Sequence, residues 1–191
     1  MTGVTSMRMV EKLDAGAILL KCELPIGLGD TVTDLHDRLS EMTAEALCET
    51  VRGLSRGEIP DQVQDESLVT YASKLSKEME FLDGSALDAS ALDRRVRALN
   101  PWPGTSVWVK TGEKSIRLKI KRAQWSRAVS AEPGSITEVH GVEGLYLGAK
   151  AGGSLRLESV QWDGRKEVDI AEFRNGLRGM GLTLPLRTGP C

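Results

Sequence analysis

Residues 115–121, SIRLKIK, put Ile116, Leu118 and Ile120 on one side of an extended chain and Arg117, Lys119 and Lys121 on the other. Side chains along a strand point alternately to opposite faces, so a two-residue period marks a half-buried strand. SVWVK, GSITEVH, GLYLGAK and SLRLESVQW follow the same grammar, separated by Gly, Pro, Asp and Glu. Several short strands at this spacing predict a small sheet or barrel after Gly104, with a basic ribbon outside an apolar interior. DIAEFRNGLRG then reads as a helix, with Asp169 as its cap and Ile170, Phe173 and Leu177 as its buried stripe. The last residues, TLPLRTGPC, read as a loose tail.

Just before this region, ASALDRRVRALN predicts a short helix with Leu92, Val96 and Leu99 on one face. Ser90 and Asp93 fit its N-terminal cap. NPWPG must stop it, because Asn100 precedes a proline and Pro101 has no N–H to give. Trp102, held between two prolines, reads as a packing anchor at the exit rather than a platform for a stacked base. Arg94, Arg95 and Arg97 fall mainly on the other helix faces, where they could bridge to acidic residues of the first half.

The first half reads as strand, turn, strand, helix. GVTSMRMV and AILLKCELPI are extended apolar runs around the turn signal LDAG. Two strands alone are marginal in water, so they read as the edge of something larger. From Thr31 to Gly57, Val32, Leu35, Leu39, Met42, Ala46, Leu47, Val51 and Leu54 keep the spacing of one helical stripe. Thr31 with Asp34 forms a capping arrangement, and His36 lies beside the stripe as a surface histidine. The polar stretch from Pro60 to Ser85 lacks a steady period and reads as an ordered linker.

Charge divides the chain the same way. Residues 1–98 carry 11 Lys/Arg against 18 Asp/Glu, a net of −7, and residues 99–191 carry 14 against 9, a net of +5. The basic half could face a polyanion, or simply be a solvated surface. No apolar run is long enough to span a membrane and the start lacks a signal-peptide core. Cys22, Cys48 and Cys191 are odd in number and far apart, which points to reduced cytoplasmic thiols rather than a disulfide framework or a zinc site. His36 and His140 offer no metal-ligand spacing, so no metal is expected.

TGVTSMRMVEKLDAGAIL, QDESLVTYASKLSKE, LDRRVRALNPWPG and SVQWDGRKEVDIAEF resemble, in that order, segments of the methionyl-tRNA formyltransferase family, from Thr2 to about Met180. The resemblance implies an α+β chain in two parts. Residues 1–63 would be the end of a Rossmann-like formyltransferase domain, 64–84 a linker, and 85–191 an OB-like barrel that binds tRNA. The family's front portion, with the Asn and His of its Asn/His/Asp trio, has no counterpart here, so the chain reads as a C-terminal portion that is inactive alone. Its truncated first half is expected to self-associate through exposed apolar faces.

The reaction implied is transfer of a formyl group from 10-formyltetrahydrofolate to the methionyl amine of initiator Met-tRNA, in the cytoplasm. Of the trio only the aspartate maps, onto Asp14, with Gly16 as the turn glycine; in the family this loop lines the folate pocket. A carboxylate there can orient a histidine or a water. Asp14 can equally serve only the turn. Lys74, Lys77, Arg117, Lys119, Lys121, Arg165 and Lys166 become candidate phosphate contacts. Two alternatives stay open: a folate-dependent formyltransferase acting on a sugar amine, and a stand-alone RNA-binding module.

Overall fold

The computed structural model describes residues 1–189. They divide into two units, Met1–Ser73 and a second beginning at Lys74.

In the first unit, β1 (Thr2–Met7) pairs antiparallel with β2 (Ile18–Leu24), with a register shift at Ser6/Met7. Helix α1 (Val32–Arg56) packs on this ribbon. Its start is the capping box legible in the sequence: Asp34 N–H donates to Thr31 Oγ1 at 3.3 Å, and Thr31 N–H donates to the Asp34 carboxylate at 2.9 Å. Ala46, Thr50 and Gly53 form the helix's buried line, and Ser6 and Thr50 share a 2.7 Å hydroxyl hydrogen bond. The expected stripe is narrower than the sequence suggests. Leu35, Leu39, Met42 and Leu54 are half-buried, whereas Val32, Leu47 and Val51 are exposed. A two-stranded ribbon covers only about one side of a helix, so a wide apolar arc stays partly in solvent.

In the second unit, α2 (Ala89–Leu99) is followed by β3 (Ser106–Thr111), β4 (Lys114–Ser126), β5 (Ser135–Val139), β6 (Val142–Gly148), β7 (Ser154–Trp162), β8 (Glu167–Asp169), α3 (Ile170–Gly179) and β9 (Leu186–Gly189). The pairing order β4-β3-β9-β5-β6-β7 returns to its start, because β7 also pairs with β4; β8 lies beside β7. All five strands predicted from alternation are present. The expected face of β4 is also there, with Leu118 and Ile120 fully buried and Ile116 packed against the core. Full burial of each such side chain contributes roughly 2–3 kcal/mol. Helix α2 adds Leu92 and Val96, and α3 adds Phe173 and Leu177; the Phe173 ring lies 5.4 Å from that of Trp162.

Two expectations are corrected. The tail is no tail: Leu186–Gly189 forms β9, inserted between β3 and β5, and Leu186 is buried in the core. The α2 cap is Asp88, not Ser90 with Asp93. Its carboxylate accepts from Ala91 N–H at 2.7 Å, and Ser90 Oγ donates to the same carboxylate. Asp93 is buried instead, accepting from Arg97 at 2.9 Å and from the Trp125 backbone N–H at 3.2 Å, so it ties α2 to β4. Within α2, Arg97 pairs with Asp93 and Arg94 Nη1 donates to Ser90 Oγ at 3.2 Å. Trp102 is 58% exposed. Asn100 pins the helix stop: its amide donates to Val96 O, Thr105 Oγ1 and Ile120 O at 2.9, 3.0 and 3.2 Å. The backbone of Asn100 is extended, as a residue before proline requires.

Candidate functional site

The loop from Arg8 to Ala17, which joins β1 and β2, carries Asp14. Arg8 N–H donates to Ala17 O at 2.9 Å and closes the loop's base. Gly16 makes that closure possible, since a Cβ there would lie 1.7 Å from Arg8 O. Asp14 adopts φ 56°, the left-handed region that Asp tolerates better than most residues. The segment after α1 then braces the loop. Gln62 and Ile18 exchange two backbone hydrogen bonds of 2.8 and 3.0 Å. Asp61 takes a forked pair from Arg8, at 3.0 Å to Nη2 and 3.1 Å to Nε. Gln64 Nε2 donates to both Asp14 O at 2.9 Å and Gly16 O at 2.7 Å.

The outcome is a loop whose backbone is braced at Arg8, Asp14, Gly16 and Ala17 while its candidate side chain is left unengaged. Asp14 is exposed, and its carboxylate takes no partner among the described residues. Such a group can accept a proton or orient an incoming amine. No histidine is supplied to it from within this unit: His36 is exposed on α1 and pairs with Asp37 at 3.3 Å. Gln64, which shapes the loop, lies in the stretch read from sequence as linker, and its only sequence signal is a polar residue in an aperiodic run.

In the second unit the candidate cations fall into three settings. Lys74, Lys77 and Arg165 are exposed. Lys166 is exposed but paired with Glu172 at 2.8 Å, which raises its pKa. Arg117 and Lys119 lie on the outer face of β4, and both are engaged. Arg117 donates to Glu80 at 3.0 Å and to Asp163 at 2.8 Å, and Lys119 Nζ sits 3.1 Å from the same Asp163 oxygen. The hydrogen bond that Arg117 donates to Asp163, opposed by partial burial and helped by Glu80, raises the Arg117 pKa. The Arg117 hydrogen bond and then that of Lys119 hold the Asp163 carboxyl below its usual range.

Lys121 departs from the alternation. Ile120 pairs with Val160 and Arg122 with Ser159, so Lys121 is the extra residue of a bulge. Arg122 takes the exposed position instead, its Nε 3.4 Å from Ser159 Oγ. A strict two-residue period cannot foresee a bulge, and Arg122 is a cation that reading misses. Glu80 is presented by the 3-10 turn Lys77–Glu80, after which Phe81 stacks on Trp108 with ring centres 5.5 Å apart. Asp163 begins the β7–β8 turn, with Gly164 at φ 73° next to it.

Comparison with known proteins covers both units. The family model described as formyl transferase matches residues 1–51, and that of the formyl transferase C-terminal domain matches residues 74–178. A methionyl-tRNA formyltransferase of Marinobacter nauticus is 39% identical over 186 residues, 96% of this chain and 57% of its own length. One of Bacillus licheniformis is 39% identical over 189 residues, again 57% of its length. The chain therefore spans somewhat over half the length of these relatives. Among solved structures, HypX from Aquifex aeolicus in complex with tetrahydrofolic acid superposes with a TM-score of 0.63 at 18% identity, covering 98% of this chain and 34% of that one. A HypX variant gives the same TM-score at 19% identity, covering 95% and 31%. At that identity the likeness concerns the fold. With models of both domains matched in order and relatives similar along nearly its whole length, this chain belongs to the formyl transferase family.

Proposed function

We propose that this chain serves the formylation of initiator Met-tRNA, with 10-formyltetrahydrofolate as donor. The observation that carries the reading is the 39% identity, over 96–98% of the chain, to proteins named methionyl-tRNA formyltransferase. In it, the β1–β2 loop contributes Asp14 to the reacting centre. The amine that attacks the formyl carbon must shed a proton, and an unpartnered carboxylate on a braced loop is suited to orient that amine or a water that takes the proton. The donor supplies the activated formyl group; Gly16 holds the loop shape that lines its pocket.

The second unit, an OB-like barrel in this reading, holds the RNA. Lys74, Lys77, Arg165 and Arg122 offer exposed positive charge, and Arg117, Lys119, Lys121 and Lys166 add to it along β4 and the β7–β8 turn. An acceptor arm is a dense phosphate array read largely by shape and backbone charge, which such a surface suits.

Titration of the 191-residue chain with tRNA over a range of salt tests this. Binding at low salt that weakens linearly in log K against log salt is expected. Absence of binding at low salt, or binding indifferent to salt, contradicts it.

A further inference from the structure

We propose that the β7–β8 turn carries a resident phosphate mimic: Asp163 occupies, in the free protein, a phosphodiester subsite formed by Arg117 and Lys119, and RNA must displace it. The proposal rests on the RNA-binding reading above and goes beyond it, because it assigns one subsite and the group that guards it.

The geometry is that of an anion site already filled. Arg117 Nη2 and Lys119 Nζ converge on a single Asp163 oxygen, at 2.8 and 3.1 Å. A non-bridging phosphate oxygen takes the same two donors. The two cations differ in how firmly they are fixed. Glu80, whose side chain is only 14% exposed, holds Arg117 Nη1 at 3.0 Å from the inner side, so the guanidinium keeps its aim whatever occupies Nη2. Lys119 sits two residues along the same outer face of β4.

Asp163 is built differently. Its backbone N–H is fixed to Arg117 O at 3.1 Å, but its side chain is half-exposed at the start of a turn. Rotation about its side-chain bonds removes the carboxylate without moving β7. The clamp therefore separates into a fixed part, Glu80 with Arg117, and a removable part, Asp163.

Displacement has a thermodynamic signature. Phosphates neutralised by protein cations release bound counterions, which sets the salt slope. A displaced Asp163 carboxylate returns to solvent as a bare anion and recruits a cation, offsetting part of that release. Asp163 thus lowers affinity and flattens the salt dependence, and it does so only through Arg117 and Lys119.

The test uses the full chain with two probes, tRNA and inorganic tripolyphosphate. Glu113→Gln is the charge-matched control, since Glu113 is exposed in the β3–β4 turn and has no partner among the described residues. Asp163→Asn is expected to tighten tRNA binding about three- to fivefold at low salt, the range of an exposed ion pair, and to steepen the salt slope by up to about one. Adding Lys119→Ala is expected to cancel the gain, and thermal melts confirm that each variant folds. If tRNA binds and Asp163→Asn gains no more than Glu113→Gln, the mimic is refuted while RNA binding stands. If no variant binds tRNA but Asp163→Asn gains affinity for tripolyphosphate, the subsite stands and the RNA reading falls. If Asp163→Asn gains with neither probe, the proposal is overturned.

Discussion

One side-chain nitrogen, Gln64 Nε2, bonds the backbone carbonyls of both Asp14 and Gly16. The candidate catalytic loop is therefore held by a residue 50 positions away, outside the strands that present it. Two such hydrogen bonds together contribute roughly 1–3 kcal/mol to local order. Gln64→Ala should leave the second unit's melting unchanged and speed amide exchange at Arg8, whose bond to Ala17 closes the loop. Hydrogen exchange followed by mass spectrometry reads this directly, and unchanged protection over residues 8–17 would remove Gln64 from the account.

Gly16→Ala should be more damaging. A methyl group 1.7 Å from Arg8 O cannot be absorbed by a side-chain rotation, because the obstructing atom is backbone. The loop must open or shift, at a cost of about 2 kcal/mol or more, in the range of severe point substitutions. Chemical denaturation of the first unit checks the magnitude.

Leu186→Ala should cost about 2–5 kcal/mol, the usual price of truncating a buried leucine, because β9 completes the sheet between β3 and β5. A loose tail would show almost no change. Comparison with Thr183→Ala, at an exposed position just before β9, separates the two outcomes in one pair of melting curves.

Acid should weaken the α2 cap. The hydrogen bond from Ser90 and then that from the Ala91 N–H hold the Asp88 carboxyl below its ordinary value of 3.8. A folded pKa below the unfolded one stabilises the protein above about pH 4, and that contribution is lost as pH falls through the folded value. Asp88→Ala should therefore lower Tm at pH 7, and its gap to the parent protein should close below pH 3.8. A gap that persists in strong acid would mean the carboxylate's charge plays no part.

What the sequence disclosed follows the reach of the interactions. The Thr31–Asp34 capping box, the Asp169 cap and the faces of β4 up to Ile120 are set by neighbours within a few residues, and all are present. Strand β9 escaped because LPLRTG is short, holds a proline and pairs only with β3 and β5, with partners at least 50 residues earlier. The bulge at Lys121 escaped because register belongs to a pair of strands, and one strand's alternation does not specify it. The candidate cations were legible as charges but not as partners: Glu80 and Asp163 meet Arg117 across 37 and 46 residues.

In the proposed function, Asp14 works in formyl transfer to Met-tRNA. The most direct test of that role is a chimera in which this chain replaces the matching segment of the Marinobacter nauticus relative, assayed for formylation of charged initiator tRNA. The chimera should be active, and the Asp14→Asn chimera with the same melting curve should lose about a hundredfold or more in kcat/KM, as expected when a proton-handling group is lost. Equal activity of the two folded chimeras would contradict that role.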